Sequence, residues 1–496
     1  MKRLLAVLFA FTVFSALAFA QGEPEHFGQR SRFPQTCTEG TDSYLSATCA
    51  VTPSATTINV SAYYSSDICS AIFTALQTLT NKNKNAVQVT LDARGITASG
   101  GVTCGSNPFY STDTSSIYNV TGELLLGGTQ INATATWTIP TRFWVRGIGL
   151  SGQNTGDTNL GQNTILRATS WSASSCALDL NLNGSATSDC PVIFIGNPGS
   201  SGAYNQADVF AAGISNLTVD CAGISDCIGA ASVEVQEGGG IDTVAFINQA
   251  VACVDFDAAT RSMTSPSTAG VSNSFIRNVN CTTPTATSET MNGIIIDATD
   301  GPAEVSNVSV TVPGGSTSFF ITGACLVING ANGLNVNYLH CEHAVEGAII
   351  GTTLTSGVVG VVNAVNVHGL TAANMNSSAS GATAVLIQDA AYVSVEGVYL
   401  TGSGASMPGI TDNVNLVTIS DQTVGQYDLT KNGQVLITTS GKTPWVLGSE
   451  AESSLLSTAP SGSIIYCNNC TSPSNPCTSG GAGALAIRQG STWVCK

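Results

Sequence analysis

A six-residue pattern of apolar and polar positions, here called the repeat pattern, recurs seven times between Ile214 and Leu400. Its first, fourth and sixth places are apolar in every copy. The copies begin at Ile214, Ile241, Ile276, Val305, Val336, Val367 and Val395. A fixed apolar pattern that returns after roughly 30 residues is typical of repeat proteins, in which each unit buries its apolar side against its neighbours.

The repeat pattern also predicts the local structure of each unit. Its fourth and sixth places alternate as in a β-strand, whereas the step from the first to the fourth place breaks the alternation. The third place is Asn or Gly in five of the seven copies, and these residues tolerate the left-handed conformation of a bend. Further short apolar segments, such as 293–297 and 325–329, lie between copies. The sequence therefore predicts an all-β parallel β-helix.

The repeat pattern and the segments before it resemble the pectate lyase superfamily of right-handed parallel β-helix proteins, which includes pectate lyases, polygalacturonases and phage tailspikes. The resemblance implies a solenoid that acts on or binds polysaccharides. It does not extend to the polygalacturonase catalytic signature, because this chain has no Asp-Asp pair and matches the Gly-His-Gly element only at His368-Gly369. That family's mechanism is therefore not implied.

An amphipathic helix is predicted ahead of the coils. Asp67 is a suitable N-cap, and apolar residues follow it at helical spacing at Ile68, Ile72, Leu76 and Leu79. We expect this helix to cover the open end of the solenoid, where strand edges would otherwise be unpaired. The predicted capping helix and first coils occupy 61–150, and the main β-helix occupies 151–445.

The first 20 residues are typical of a secretory signal peptide. Lys2 and Arg3 precede the apolar run 4–17, and Ala18-Phe19-Ala20 provides small residues for cleavage. A membrane anchor is the less favoured alternative because the run is short. Segment 21–60 is predicted to be an N-terminal extension. We therefore expect a secreted protein, without a later membrane span.

The net charge of the chain limits the classes of molecule that it can bind. The formal net charge is −16, and removal of Lys2 and Arg3 leaves 14 positive against 32 negative residues, or −18. Such a chain repels nucleic acid and anionic lipid. It would also repel an anionic polysaccharide unless calcium or a local basic patch intervened.

The cysteine content indicates disulfide bonds. All 16 cysteines lie beyond the predicted signal peptide, an even number that fits an oxidising compartment. Four of them fall in the segment 446–496, at Cys467, Cys470, Cys477 and Cys495. These four could bind zinc, but two disulfides that staple a small C-terminal β module are favoured.

One candidate site is a calcium-dependent lyase centre. Such a centre needs acids for the cation and a basic side chain for proton abstraction. The candidates are Asp255, Asp257 and Asp297 for calcium and Arg277 for the proton. Asp255 and Asp257 are two residues apart and would share a strand face. In the alternative interpretation, these positions form a structural ladder of polar side chains that hold the same place in successive coils, at Asp257, Asp297, Asn329 and Gln388.

The second candidate site gathers histidines and glutamates. His340, Glu342, His343 and Glu346 are close in sequence, and His368 lies in the next copy. If they line one groove, carboxylates and imidazoles could perform acid–base chemistry on a glycosidic bond. The alternative is a solvated strand with ordinary surface residues.

The sequence leaves two functional classes open. One is a secreted carbohydrate-active protein that binds an extended polysaccharide and cleaves it as a lyase or glycoside hydrolase. The other is a glycan-binding or adhesion solenoid without activity, including a degenerate enzyme, which could be a homotrimer like the tailspikes.

Overall fold

A computed structural model gives the conformation of most of the chain beyond residue 55. The described residues are 56–496 except for 81–86, 110–119, 151–162, 171–189, 197–208, 223, 225–226, 233–234, 257–272, 283–290, 298–301, 312–322, 352–361, 377–378, 380, 389, 403–407, 413–415, 421–425, 430–433, 439–448, 451–454 and 456–463. The predicted signal peptide, most of the predicted extension and Asp257 lie outside these residues. In the described part of the chain, no helix has the length and apolarity needed to cross a membrane.

Two long parallel sheets form the body of the molecule. Sheet A contains β1 (Thr56–Asn59), β2 (Val87–Ala93), β3 (Val102–Cys104), β4 (Val120–Leu126), β5 (Gln130–Ala133), β7 (Phe143–Arg146), β8 (Ile165–Ala168), β11 (Gly213–Asp220), β14 (Gly240–Ile247), β16 (Ser274–Thr282), β18 (Ala303–Thr311), β20 (Ala331–Asn332), β21 (Leu334–Glu342), β23 (Val362–Ala373), β25 (Ala391–Thr401), β27 (Leu416–Ser420) and β29 (Gln434–Thr438). Sheet B contains β6 (Trp137–Ile139), β9 (Cys190–Ile195), β12 (Cys227–Ser232), β15 (Ala252–Phe256), β17 (Asn292–Ile296), β19 (Ala324–Ile328), β22 (Glu346–Ile350), β24 (Thr383–Ile387), β26 (Pro408–Asp412) and β28 (Gln426–Leu429). A short parallel pair, β10 (Val209–Phe210) and β13 (Val235–Gln236), forms a separate two-stranded sheet.

From β11 to β25 each coil contributes one long strand to sheet A and one strand to sheet B, in register with the coils on either side. The long strand β11 pairs with β7 before its bend and with β8 after it, so from β11 onward one strand covers both parts of sheet A. The first, fourth and sixth places of the repeat pattern are buried in the core between the sheets. The predicted parallel β-helix is confirmed.

The bend in sheet A coincides with the third place of the repeat pattern. All seven residues at this place have a left-handed backbone, with φ between 51° and 73°: Asn216, Thr243, Asn278, Asn307, Tyr338, Gly369 and Gly397. The predicted bend is confirmed, and it extends to Thr243 and Tyr338, whose side chains do not favour this conformation.

The predicted capping helix is also confirmed. Helix α1 (Ile68–Thr80) follows a short 3-10 helix (Val60–Tyr63). An Asp67 side-chain oxygen accepts a hydrogen bond from the Ser70 N–H at 2.8 Å, as expected of an N-cap. Ile72 is fully buried against the first strands, and a Cys69–Cys104 disulfide ties the helix to β3.

Disulfides close individual coils. Cys221–Cys227 bridges a corner between the sheets, whereas Cys253–Cys281 and Cys325–Cys341 connect sheet B strands to the sixth place of the repeat pattern. All four cysteines of the last two disulfides are fully buried in the core. No cysteine in the described ranges is free.

The C-terminal segment forms a small sheet of its own. Sheet C contains β30 (Ser449–Glu450), β31 (Ile464–Cys467), β32 (Ala484–Gln489) and β33 (Thr492–Cys495). Disulfides Cys467–Cys470 and Cys477–Cys495 stabilise this sheet. The two disulfides predicted for these four cysteines, in preference to a zinc site, are therefore confirmed.

Candidate functional site

The bend divides the outward side chains of sheet A into two sets. We call the set before the bend the first face and the set after it the second face. On the first face, two rows run from coil to coil. One row contains Trp144, Gly213, Gly240, Phe275, Glu304, Asn335 and Asn366, and the other contains Arg146, Ser215, Asp242, Arg277, Ser306, Asn337, His368 and Glu396.

Two aromatic rings lie over glycines in the first of these rows. Two strands, which carry Gly213 and Gly240 in this row, lie between the strands of Trp144 and Phe275. The two rings nevertheless stack, with their centroids 6.2 Å apart and an angle of 22° between their planes. A Cβ on Gly213 would approach the Trp144 ring to 2.8 Å, and one on Gly240 would approach the Phe275 ring to 3.0 Å. The missing side chains therefore provide the room in which the rings meet.

An arginine accompanies each ring. The guanidinium carbon of Arg146 lies 4.8 Å from the centre of the Trp144 ring, within the range of a cation–π contact. Its Nε donates to Glu123 at 3.0 Å and its Nη1 donates to the Ser215 hydroxyl at 3.0 Å. Arg146 is therefore held in one orientation beside the ring.

Arg277 repeats this arrangement at the other ring. Its guanidinium carbon lies 4.3 Å from the centre of the Phe275 ring, and its Nε donates to Glu304 at 3.0 Å. A second N–H of the same guanidinium also donates to Glu304. We call Trp144, Phe275 and the two arginines the aromatic platform.

Amide and hydroxyl side chains continue the first face beyond the platform. The Asn366 amide donates to the Asn335 side-chain oxygen at 3.0 Å, and Ser306 and Asn337 occupy the parallel row. These uncharged groups both donate and accept hydrogen bonds.

The predicted histidine site is divided between the two faces. His368 lies on the first face, where its Nδ1 is 2.9 Å from an oxygen of Glu396 in the next coil. His340 and Glu342 lie on the second face, with 3.8 Å between Nε2 and a carboxylate oxygen. The neighbour of His340 in the next coil is Thr371, so the structure does not pair His340 with His368.

His343 and Glu346 occupy the corner that leads from the second face into sheet B. His343 is 5% exposed, and its backbone N–H donates to the Ala373 carbonyl at 3.2 Å. Glu346 begins β22, and burial raises the pKa of its carboxyl to about 7. Glu342 meanwhile accepts a hydrogen bond from Asn374 at 2.9 Å.

The structure separates Arg277 from Asp255 of the predicted calcium centre. Arg277 lies on the first face of sheet A, whereas Asp255 is fully buried on sheet B, in register with Ala231 and Ile295. Asp297 accepts a hydrogen bond from the Asn329 amide at 2.6 Å, as in the alternative interpretation of a polar ladder. The calcium site remains a prediction, and Asp257 is outside the described residues.

Groups of potential metal ligands are scarce in the described parts of the chain. There, three such side chains converge only at Cys470, Cys477 and Cys495, whose sulfurs are engaged in disulfides.

Sequence reasoning missed the aromatic platform. Trp144 and Phe275 are far apart in sequence and outside the candidate motifs. A signal was nevertheless present in the residue before each copy of the repeat pattern, which is Gly in the first two copies and Phe in the third. If Trp144 is aligned with the residue that precedes each copy, two coils with glycine at this position lie between Trp144 and Phe275.

Comparison with solved structures finds similar folds at low identity. The tailspike protein of E. coli bacteriophage HK620 in complex with a pentasaccharide matches with 12% identity and a TM-score of 0.43, covering 75% of this chain and 61% of that chain. A variant of this tailspike with a hexasaccharide matches with 11% identity and a TM-score of 0.45, covering 77% and 64%. The mannuronan C-5 epimerase A-module of Azotobacter vinelandii matches with 12% identity and a TM-score of 0.34, covering 78% and 100%.

These similarities concern the fold, and the chain spans less than two thirds of the two tailspike chains. No family model matches the chain, and no curated protein matches it in sequence.

Proposed function

We propose that this chain is an extracellular β-helix protein that binds an extended polysaccharide along the first face of sheet A. The observation that carries the proposal is the aromatic platform, in which Trp144 and Phe275 stack above Gly213 and Gly240. A sugar ring presents an apolar C–H face that packs against a flat aromatic ring, while its hydroxyl groups need polar partners at the ring edge.

The two arginines supply such partners. Each is already held by a glutamate, Arg146 by Glu123 and Arg277 by Glu304. A paired guanidinium keeps its remaining N–H groups in fixed directions, which favours hydrogen bonds to hydroxyls at defined positions. The platform therefore combines an apolar surface with oriented donors.

The rest of the face suits a long ligand. Successive coils are about 4.8 Å apart, so rows of asparagine and serine present polar groups at regular intervals along the solenoid. The extracellular location is supported by six disulfides that lie wholly within the described residues.

Affinity electrophoresis in native gels tests the proposal. The gels would contain neutral polymers (galactomannan, dextran, hydroxyethyl cellulose) or acidic ones (polygalacturonate, alginate). We expect at least one polymer to retard the wild-type protein. Phe275→Ala should weaken that binding about tenfold, since it removes half of the stacked pair.

Tyr466→Ala is the matched control, because Tyr466 is an aromatic residue of sheet C that is 41% exposed. It should bind like the wild type. The proposal fails if no polymer retards the wild-type protein, or if Phe275→Ala binds as well as the control.

Cleavage of a polysaccharide is a second candidate, and it would take place away from the first face, because Glu346 lies at the corner that leads from the second face into sheet B. A carboxyl that keeps its proton up to about pH 7 can serve as a general acid. The test is release of reducing ends or of unsaturated products, with and without calcium, by the wild-type protein and by Glu346→Gln. Equal release by both proteins, or none by either, would contradict a role for Glu346 in cleavage.

A further inference from the structure

Tyr338 stands out among the residues at the bend. It occupies the third place of its repeat pattern with φ at 59°, and it is 74% exposed. A left-handed backbone is unfavourable for a bulky side chain. Because the ring is exposed, burial of its surface offsets little of this free-energy cost. Asn278 and Asn307, at the same place in earlier coils, form a ladder in which the Asn307 amide donates to Asn278 at 2.7 Å. Tyr338 replaces the residue that would continue this ladder.

The ring of Tyr338 lies beside a surface without side chains. The next two residues at the bend are Gly369 and Gly397. A Cβ on Gly369 would be 3.1 Å from Cδ1 of Tyr338, so the edge of the ring lies over this glycine. A Cβ on Gly397 would find only backbone atoms, the closest at 3.5 Å. The ring is therefore followed by an open floor one coil further along.

Polar groups border this floor on both sides. His368 and Glu396 lie on the first face, and the side chain of each is 44% exposed. Thr371 and Tyr399 pair with each other on the second face, and Tyr399 is 49% exposed. The arrangement resembles the aromatic platform, because an aromatic ring again lies over a glycine with hydrogen-bonding groups at the edge of the ring.

We propose that Tyr338, Gly369 and Gly397 form a second sugar-binding subsite, and that one uncharged polysaccharide chain occupies it together with the aromatic platform. This inference rests on the proposed function. Strands β16 and β21, which carry Phe275 and Tyr338, are two strand spacings apart, or about 10 Å. The Phe275 ring leans back over Gly240 and the Tyr338 ring leans forward over Gly369, so a ligand that reaches both must be several sugar units long.

The charges along the first face favour an uncharged ligand. Along the first face the positive charges of Arg146 and Arg277 stand against four carboxylates, which belong to Glu123, Asp242, Glu304 and Glu396. The local balance is therefore two positive against four negative, within a chain of net charge −16. A polyuronate would be repelled by this surface, whereas hydroxyl groups can bond to it. Asn335, Asn337 and Asn366 fill the space between the subsites with uncharged donors and acceptors.

The length of the ligand provides the test. Two linked contacts strengthen one another only when a single chain reaches both, so the wild-type protein should bind long chains far more tightly than short ones. The probes would be the neutral polymers galactomannan, dextran and hydroxyethyl cellulose and the acidic polymers polygalacturonate and alginate, with trisaccharides from whichever neutral polymer binds. Tyr338→Ala should weaken binding of the long polymer about tenfold or more and leave binding of the trisaccharide at the platform in place. Tyr338→Asn, which suits the left-handed backbone, should behave in the same way.

The outcomes separate this inference from the proposed function. If no polymer binds the wild-type protein, both fail. If Phe275→Ala weakens binding but both Tyr338 variants match the wild type, the second subsite alone is wrong. Tighter binding of polygalacturonate or alginate than of every neutral polymer would overturn the uncharged ligand. A change of oligomeric state in sedimentation with Tyr338→Ala would show that a second copy of the chain covers the ring, and would also overturn the inference.

Discussion

The two ends of the first face share one backbone register but hold their outward side chains differently. At the platform, Trp144 and Phe275 are half-buried over glycines and lie beside arginines in ion pairs. The ring of Tyr338 is largely exposed, and the neighbouring side-chain pair joins His368 to Glu396. The inward places are alike in both regions. The difference therefore shows that the stacking of coils determines the fold, while the outward side chains can differ from coil to coil without changing it.

The largest expected effect concerns one glycine in each of the two regions, Gly213 at the platform and Gly397 near Tyr338. A Cβ on Gly213 would lie 2.2 Å from the Gly240 carbonyl oxygen and would also displace Trp144. We expect Gly213→Ala to lower the free energy of unfolding by about 3 kcal/mol. In Gly397→Ala the added methyl group has room, so only the left-handed backbone opposes it, at about 1 kcal/mol. Guanidinium denaturation with intact disulfides would measure both, and equal losses would contradict the contrast.

A smaller effect should distinguish the platform from the corner that holds Glu346 by their response to pH. Burial raises the pKa of Glu346 from 4.5 to about 7, so the native state holds a proton that the unfolded chain releases. The free energy of unfolding contributed by this group therefore falls as the pH rises through that range. Glu346→Gln should be more stable than the wild type at pH 8 by about 1–2 kcal/mol, after allowance for partial exposure, and no different near pH 4.

The matched variant at the platform is Glu304→Gln, which loses an ion pair with Arg277 and should gain no stability at pH 8. Thermal unfolding at both pH values would compare the two variants. If Glu304→Gln gained as much stability at pH 8 as Glu346→Gln, the platform and the corner that holds Glu346 would not differ in their response to pH.

The smallest effect concerns the bend itself. Tyr338→Asn should raise the free energy of unfolding by about 0.5–1 kcal/mol, because asparagine tolerates the left-handed backbone better than tyrosine. The reciprocal change Asn307→Tyr should lower it by a similar amount and break the hydrogen bond to Asn278. Denaturant titrations would show both shifts. Two unchanged midpoints would mean that the residue at the bend has no effect on stability.

The sequence predicted the fold well because the fold depends on a local rule that repeats. Apolar first, fourth and sixth places and a left-handed third place are each visible within six residues. Asp67 and the spacing of Ile68 and Ile72 likewise predicted the helix that begins at Ile68. Such signals need no knowledge of which coils become neighbours.

The candidate site was harder to predict because it depends on register between coils. Trp144 and Phe275 meet only because two glycines intervene in the same row, and this row is known once the strands are paired. The same dependence separates His340 from His368 and brings His368 to Glu396 instead. Because loops between coils differ in length, sequence distance does not reveal these neighbours.

The disulfide between Cys253 and Cys281 has a consequence for proteolysis. It joins two residues that are 28 positions apart, so a peptide bond cut anywhere between them leaves both products covalently attached. Cys325–Cys341 does the same over 16 positions. An extracellular protease that cleaves within these segments would give a nicked molecule that migrates as one species until it is reduced. The solenoid can therefore lose local chain continuity and still keep its coils together.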